Sequence, residues 1–203
     1  VALLEQFGAT HNKGSSHGGS RIFRLSYRTP LYTDLAARAL FDWRELEADT
    51  DADLLEQNGQ LDHGYKEAID EIGISLDRYN HPYERMDASE AHARWPGMNF
   101  EDHVIYSPDG GRCLADKTVS TLIQRNIDLG VDVHLNTPVL AVHLDGDHAI
   151  IETQTQTWRT PSLVVAAGGW VNKLVGHLVK LPKLIVDAGQ PAHFQPIATM
   201  QDE

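Results

Sequence analysis

The chain has 203 residues, 41% of them hydrophobic, enough to bury a core in one large domain or two interleaved ones. Its 17 Lys and Arg against 29 Asp and Glu leave a formal charge of -12, which repels nucleic acid phosphates and anionic membranes. No apolar run nears the ~18 residues of a spanning helix, no basic segment opens the chain, and the single cysteine, Cys113, excludes an internal disulfide, so a soluble, cytoplasmic protein with no nucleic acid or membrane partner is expected.

Val1-Ala2-Leu3-Leu4 reads as a short apolar strand that ends in the carboxylate of Glu5. A strand ending in a carboxylate suits the ribose-binding edge of a dinucleotide fold, and an exposed strand-end Glu is the bland alternative. Such a strand is the second of its fold, behind a first strand, a G-x-G-x-x-G turn and a helix, none of which is in the sequence; the chain therefore reads as a fragment. Next comes Gly14-Ser15-Ser16-His17-Gly18-Gly19-Ser20-Arg21-Ile22-Phe23-Arg24. A glycine- and serine-rich turn followed by a His and two Arg suits an anionic cofactor and substrate. The spacing of His17, Arg21 and Arg24 puts them on one face if the segment is helical. A flexible loop leading into a solvated basic face is the other reading.

After Pro30, Leu31, Leu35, Ala39, Trp43 and Leu46 recur at helical steps and predict a helix over 31–48 with one buried face. Residues 54–61, broken by Asn58-Gly59, read as short extended structure, and 65–72 as a helix ended by Gly73. Asp87-Ala88-Ser89-Glu90 is a capping box that opens a short helix, stopped by Pro96-Gly97. Leu114, Val119, Leu122, Ile123 and Ile127 mark an amphipathic helix closed by Gly130 and followed at once by a strand over 131–135. A hairpin is expected from 139–144 and 149–153 around Asp145-Gly146-Asp147, then a further apolar strand over 162–167. Gly168-Gly169 turns this strand into a helix over 170–175, before two strands around 184–186 and 191–194. The eleven histidines show no H-E-x-x-H or H-x-H pattern, so no metal is expected.

Four segments together resemble a known family: GSSHGGSRIFR after VALLE, RWPGM at 94–98, GVDVHLNTPV at 130–139 and VVAAGGWVNKL at 164–174. They resemble the FAD-dependent amine oxidases of the D-amino-acid oxidase superfamily, most of all the monomeric sarcosine oxidase and N-methyltryptophan oxidase group. The likeness runs along nearly the whole chain but covers only the central part of such an enzyme. It implies an α/β fold with an α+β insert: an FAD-binding Rossmann-like domain with a β-meander, interleaved with part of a substrate-binding domain, its N-terminal βα unit and C-terminal half missing. Residues 1–50 and 106–178 would belong to the FAD-binding part, 51–105 to the substrate domain, and 179–203 to the start of a second substrate-domain segment.

The resemblance also implies roles. Glu5 matches the carboxylate that accepts from the adenosine ribose hydroxyls, two vicinal donors suiting two oxygens. Gly14, Ser15 and Ser16 match a segment passing close to the flavin, where small residues allow backbone approach. His17 and Arg21 match positions beside the flavin ring, with Arg24 at the arginine that pairs with the substrate carboxylate, a task suited to a planar, permanently charged donor pair. Val139 matches a backbone contact to adenine, and Ala167 and Gly168 a turn that approaches the cofactor. Cys113 does not match the family's covalent flavin attachment position, so the attachment of FAD stays open.

The implied activity is oxidation of the C–N bond of a secondary amine or N-methyl amino acid, with FAD as cofactor and oxygen as acceptor. A carrier-linked amine dehydrogenase and a non-catalytic binding module on the same scaffold are the alternatives. The 203-residue chain alone is expected to be inactive and to self-associate through an open sheet edge beside Val1.

Overall fold

The computed structural model describes residues 1–187. In chain order its elements are β1 (Ala2–Leu4), β2 (Arg21–Phe23), α1 (Pro30–Thr50), β3 (Leu55–Glu56), β4 (Gln60–Gly64), α2 (Lys66–Arg78), β5 (Glu84–Met86) and α3 (Ala88–Arg94). There follow β6 (His103–Ser107), β7 (Gly111–Cys113), α4 (Ala115–Asp128), β8 (Asp132–His134), β9 (Ala141–Asp145), β10 (His148–Glu152), β11 (Thr157–Thr160), a 3-10 turn at Gly168–Trp170 and α5 (Val171–Val175). The expected mixed α/β class is found. The described residues divide into two compact units, one of Val1–His17 with residues 119–187, the other Gly18–Thr118.

In the first unit β1 and β8 pair in parallel, with Leu3 opposite Val133. α4 reaches β8 through a tight stop. Gly130 takes φ +79°, its N–H donates to the Ile127 carbonyl at 2.9 Å, and the Val131 N–H donates to that of Asn126 at 2.9 Å. This pair of bonds satisfies the last helix carbonyls, and the left-handed residue between them is best a glycine. β9, β10 and β11 form an antiparallel meander in the order β11-β10-β9. The expected hairpin is its first half: Asp145 faces His148 across a loop whose Gly146 has φ +60°.

The third meander strand, Thr157–Thr160, was not expected from the sequence, and the strand expected over 162–167 is irregular, with Val164 90% exposed. An apolar run becomes a strand only where a neighbour accepts and donates its ladder bonds, and among the described residues none lies against 162–167. The polar alternation of Thr157–Thr160 does find such a neighbour in β10. The turn into a helix at Gly168-Gly169 is present, the helix being α5 behind its 3-10 turn. Residues 184–186 form no strand, exposed Ile185 and Val186 having no ladder partner among the described residues. The strand expected at 191–194 lies outside the described residues.

In the second unit two three-stranded sheets, ordered β2-β7-β3 and β4-β6-β5, flank helices α1 and α2. Phe23, Leu25, Leu55, Ile69, Ile72, Leu76 and Ile105 build the main core, with Ala36, Ala37, Leu40 and Trp43 of α1 packed on it. A second cluster of Ala91, Phe100 and Val104 lies under α3. α1 matches its expected span, with Pro30 preset at its first position and Asp51 in a left-handed C-terminal cap, but Leu31 and Leu35 of its expected buried face are exposed, the core contact running through Ala36, Ala37, Leu40 and Trp43. The capping box of α3 closes as expected: the Glu90 N–H donates to Asp87 Oδ1 at 2.8 Å, and the Asp87 N–H to Glu90 Oε2 at 3.0 Å.

α2 does not end at Gly73. A Cβ there would lie 2.0 Å from Arg85 Nη2, so the glycine admits the guanidinium that crosses the helix and donates to Asp70 Oδ1 at 2.6 Å. The helix stops at Asn80 instead, in a left-handed conformation with φ +55°, where the His81 N–H donates to the Leu76 carbonyl.

Candidate cofactor and substrate site

The expected alignment of His17, Arg21 and Arg24 on one helical face is not found. Residues 14–20 run as irregular bends, and Arg21–Phe23 is the strand β2, antiparallel to β7 with Arg21 opposite Cys113. Its backbone bonds go to β7, and the β-branched and aromatic pair Ile22-Phe23 fits that pleated setting. Burial alternates from Ile22 to Leu25: Phe23 and Leu25 are buried, Ile22 and Arg24 exposed. Strand parity therefore sends Arg21 and Arg24 to opposite faces.

In the first unit the structure brings several expected residues together around Glu5. The Glu5 N–H donates to the His134 carbonyl at 2.9 Å, and the Thr137 N–H donates back to the Glu5 carbonyl at 2.8 Å. The Asn136 N–H, from a residue at φ +53°, donates to the Phe7 carbonyl at 2.9 Å. These bonds lay the turn leading to half-buried Val139 alongside Glu5. The Phe7 ring touches Trp170 at 6.1 Å between centroids, so the 3-10 turn that follows Ala167 and contains Gly168 lies beside the same segment. Gly168 takes φ +50°, a conformation that favours glycine. Gly14 leads into exposed Ser15 and Ser16, and the ring Nδ1 of His17 lies 2.5 Å from the Gly14 carbonyl, folding the loop back on itself.

The Glu5 carboxylate is half-buried. Its Oε1 accepts the Phe7 N–H at 2.8 Å, while Oε2 has no hydrogen-bond partner among the described residues. A carboxylate at the end of a parallel strand, with one oxygen anchored and one open, fits a vicinal diol, and the surrounding peptide groups at 134–139 fit an adenine contact. The residues present thus suit the adenosine half of a dinucleotide.

In the second unit Arg21 donates from Nη1 to its neighbour's carbonyl at Ser20, 2.8 Å away. The loop before it is tied to the start of α4, the Gly18 N–H donating to Asp116 Oδ1 at 2.8 Å and the Asp116 N–H to the Gly18 carbonyl at 3.1 Å. Arg24 is exposed, its guanidinium carbon 4.6 Å over the centre of the Tyr27 ring. Beside it a groove of about 310 Å³ runs between β2 and α1, lined by Ile22, Tyr27, Tyr32, Leu35 and Trp43 among others. A larger hollow of about 610 Å³ is lined by Glu45, Leu46, Ala48 and Asp49, and its two carboxylates suit no anionic ligand. Tyr27 and Tyr32 were not singled out in the sequence, and Trp43 was read only as part of the apolar stripe of α1. The aromatic at three residues past Arg24 was the available signal. Among the described residues no group of three His, Cys, Asp or Glu is placed to hold a metal ion, and no helix is long and apolar enough to cross a membrane.

The parallel strand with its terminal carboxylate and the glycine-lined loops define a dinucleotide-binding class of α/β protein. The chain belongs to the DAO family of FAD-dependent oxidoreductases, whose model matches residues 1–202. It is 29% identical over 196 residues to the monomeric sarcosine oxidase of Streptomyces avermitilis, covering 94% of this chain and 48% of that protein. It is 32% identical to the peroxisomal sarcosine oxidase of Mus musculus, covering 90% and 48%, and 29% identical to an Escherichia coli N-methyl-L-tryptophan oxidase, covering 90% and 50%. The chain spans about half the length of these curated relatives. Among solved structures it superposes on NikD, an unusual amino acid oxidase essential for nikkomycin biosynthesis, with a TM-score of 0.76 at 25% identity over 88% of this chain and 47% of that one. L-proline dehydrogenase from P. horikoshii shares the fold, with a TM-score of 0.76 at 16% identity over 90% and 50%. FAD is the cofactor of this family.

Proposed function

We propose that the protein oxidises the C–N bond of a secondary amine or N-methyl amino acid, with oxygen as the electron acceptor. The observation that carries this reading is Arg24: an exposed guanidinium whose carbon lies 4.6 Å over the centre of the Tyr27 ring, at the rim of an apolar groove. A cation–π contact uses no N–H donor, and among the described residues the guanidinium has no carboxylate partner, so its planar donor pair suits a substrate carboxylate. The groove then takes the substrate's apolar substituent, and the amine is held between these two contacts. Bound FAD supplies the oxidant, a two-electron acceptor for the hydride equivalent leaving the carbon next to nitrogen.

Of the chain's own residues, Glu5 with its open Oε2 is assigned to the adenosine ribose, and the peptide groups at Val139 to adenine. Gly14, Ser15, Ser16, Ala167 and Gly168 are assigned to backbone approach toward the cofactor. His17 and Arg21 are assigned to the flavin ring, where a cationic or donor group favours negative charge on its reduced form. A cytoplasmic location and self-association through the free side of β1 complete the proposal; β1 pairs with β8 alone among the described residues.

The test is anaerobic mixing of the FAD-loaded full-length protein with N-methyl amino acids. Bleaching of the flavin absorbance, recovery on admitting air, and loss of the bleaching in Arg24→Lys are expected. A flavin that N-methyl amino acids leave oxidised would overturn the reading.

A further inference from the structure

Beside Glu5 stands a histidine with an assigned place in neither the sequence pattern nor the proposed reaction. His11 Nδ1 accepts the Lys13 backbone N–H at 3.0 Å. A ring nitrogen that accepts carries no proton, so the neutral imidazole holds its proton on Nε2. That nitrogen lies 3.6 Å from Glu5 Oε1, longer than a hydrogen bond and close enough for an electrostatic contact. The ring is held from a third side by Phe7, at 4.7 Å between centroids and 54° between planes, and the Phe7 N–H itself donates to the same Glu5 oxygen at 2.8 Å. Both polar contacts on the carboxylate thus converge on Oε1, and Oε2 is left open.

We propose that His11 is a positioning residue for Glu5: its Nε2–H, fixed by the Lys13 amide, acts with the Phe7 amide to turn one carboxylate oxygen inward and present the other to the ribose diol. The inference rests on the assignment of Glu5 to the adenosine ribose. The logic is that of outer-shell partners elsewhere, which set the orientation of a group that touches the ligand. A freely rotating carboxylate would have to be ordered on binding, which weakens affinity.

Two measurements decide it. Nitrogen chemical shifts of the His11 ring in the full chain are expected to report the Nε2–H tautomer, and an Nδ1–H ring would overturn the proposal. FAD affinity is then measured for His11→Phe, which keeps the ring stack on Phe7, and His11→Gln, which keeps a donor. His11→Phe is expected to bind FAD about two- to threefold more weakly, the scale of a longer polar contact at 3.6 Å that falls short of a full hydrogen bond, with His11→Gln near the parent. In a Glu5→Ala background His11→Phe should cost nothing further, because its effect passes through the carboxylate. An equal loss in that background, or no loss in the parent background while Glu5→Ala weakens binding, sinks the role of His11 and leaves Glu5 its assignment. Unchanged affinity in Glu5→Ala would remove the ribose assignment itself, and the positioning role with it.

Discussion

The Arg24 guanidinium carbon sits 4.6 Å above the centre of the Tyr27 ring, and Tyr27 in turn meets Tyr32 at 5.8 Å between centroids. The cation thus rests on Tyr27, itself backed by Tyr32, and among the described residues no carboxylate pairs with it, so its charge suits an anionic substrate group. Arg24→Lys should retain FAD and lose about 1.5 to 3 kcal/mol in kcat/KM, the scale of a hydrogen bond to a charged group. Tyr27→Leu should raise KM more than it lowers kcat, whereas Tyr27→Phe keeps the ring face and should behave as the parent. Steady-state kinetics on one N-methyl amino acid compares all three; a kcat/KM for Arg24→Lys equal to the parent's removes Arg24 from the site.

Glu5 is the second point of attack. Losing the carboxylate in Glu5→Ala should weaken FAD binding by about 1.5 to 3 kcal/mol. The backbone bonds of Glu5 to His134 and Thr137 do not involve its side chain, so the far-ultraviolet circular dichroism should be unchanged. Equilibrium dialysis gives the affinity.

Glu47 gives a pH dependence of stability. Its Oε1 accepts the Leu54 and Leu55 N–H groups at 2.6 and 2.7 Å, and its Oε2 the Arg44 guanidinium at 2.5 Å. Burial, the largest single influence, pushes its carboxyl up, but the two amides and Arg44 together hold it below the usual glutamate range. A carboxyl lowered in the folded state stabilises fully above its unfolded value, and that contribution disappears as pH falls through the folded value. Urea unfolding at stepped acidic pH should therefore show a steeper fall for the parent than for Glu47→Gln. Parallel curves would mean that Glu47 contributes nothing by its charge.

Two glycines separate a tolerant close contact from an intolerant one. At Gly111 a Cβ would lie 2.0 Å from the Glu56 carbonyl oxygen, which is backbone and part of the β3–β7 pairing. At Gly73 the equally short contact is to the end of the flexible Arg85 side chain. Gly111→Ala should destabilise by about 1 to 3 kcal/mol through forced strand separation. Gly73→Ala should lie within about 1 kcal/mol of the parent, since the helix gain of roughly that size offsets a displaced surface ion pair. Chemical denaturation midpoints check both, and similar losses in the two variants would contradict the distinction.

Helices were legible in the sequence because their evidence repeats. The apolar steps from Leu31 to Leu46 and from Leu114 to Ile127 each span several turns, and Gly130 marks its stop by a conformation few other residues adopt. Short strands were legible only where a neighbouring signal marked them, as the carboxylate after β1 and the Gly130 stop before β8 did; β5 and β7, three residues each, had no such marker and are too short for a period to emerge. Gly73 misled because a glycine that admits a crossing side chain and one that ends a helix look alike in sequence, while Asn80, the true stop, is a weaker signal. Of the candidate site, Glu5 and the turn before Val139 were placed by a strand and a helix-to-strand step that the sequence reveals, and the backbone bonds of Glu5 then join them. The groove beside Arg24 depends on how α1 packs against β2, a tertiary fact that no local pattern encodes.

β6 lies in the middle of its sheet, between β4 and β5, and its adjacent residues Val104 and Ile105 are both at 0% exposure. Strand parity sends them to opposite faces, Val104 into the cluster under α3 and Ile105 into the core shared with α1 and α2. Neither cluster can loosen without disturbing the strand that forms a wall of the other. The amide protons of this strand should accordingly exchange with solvent only when Gly18–Thr118 opens as a whole, making β6 the place where hydrogen exchange reads the global opening free energy of that unit.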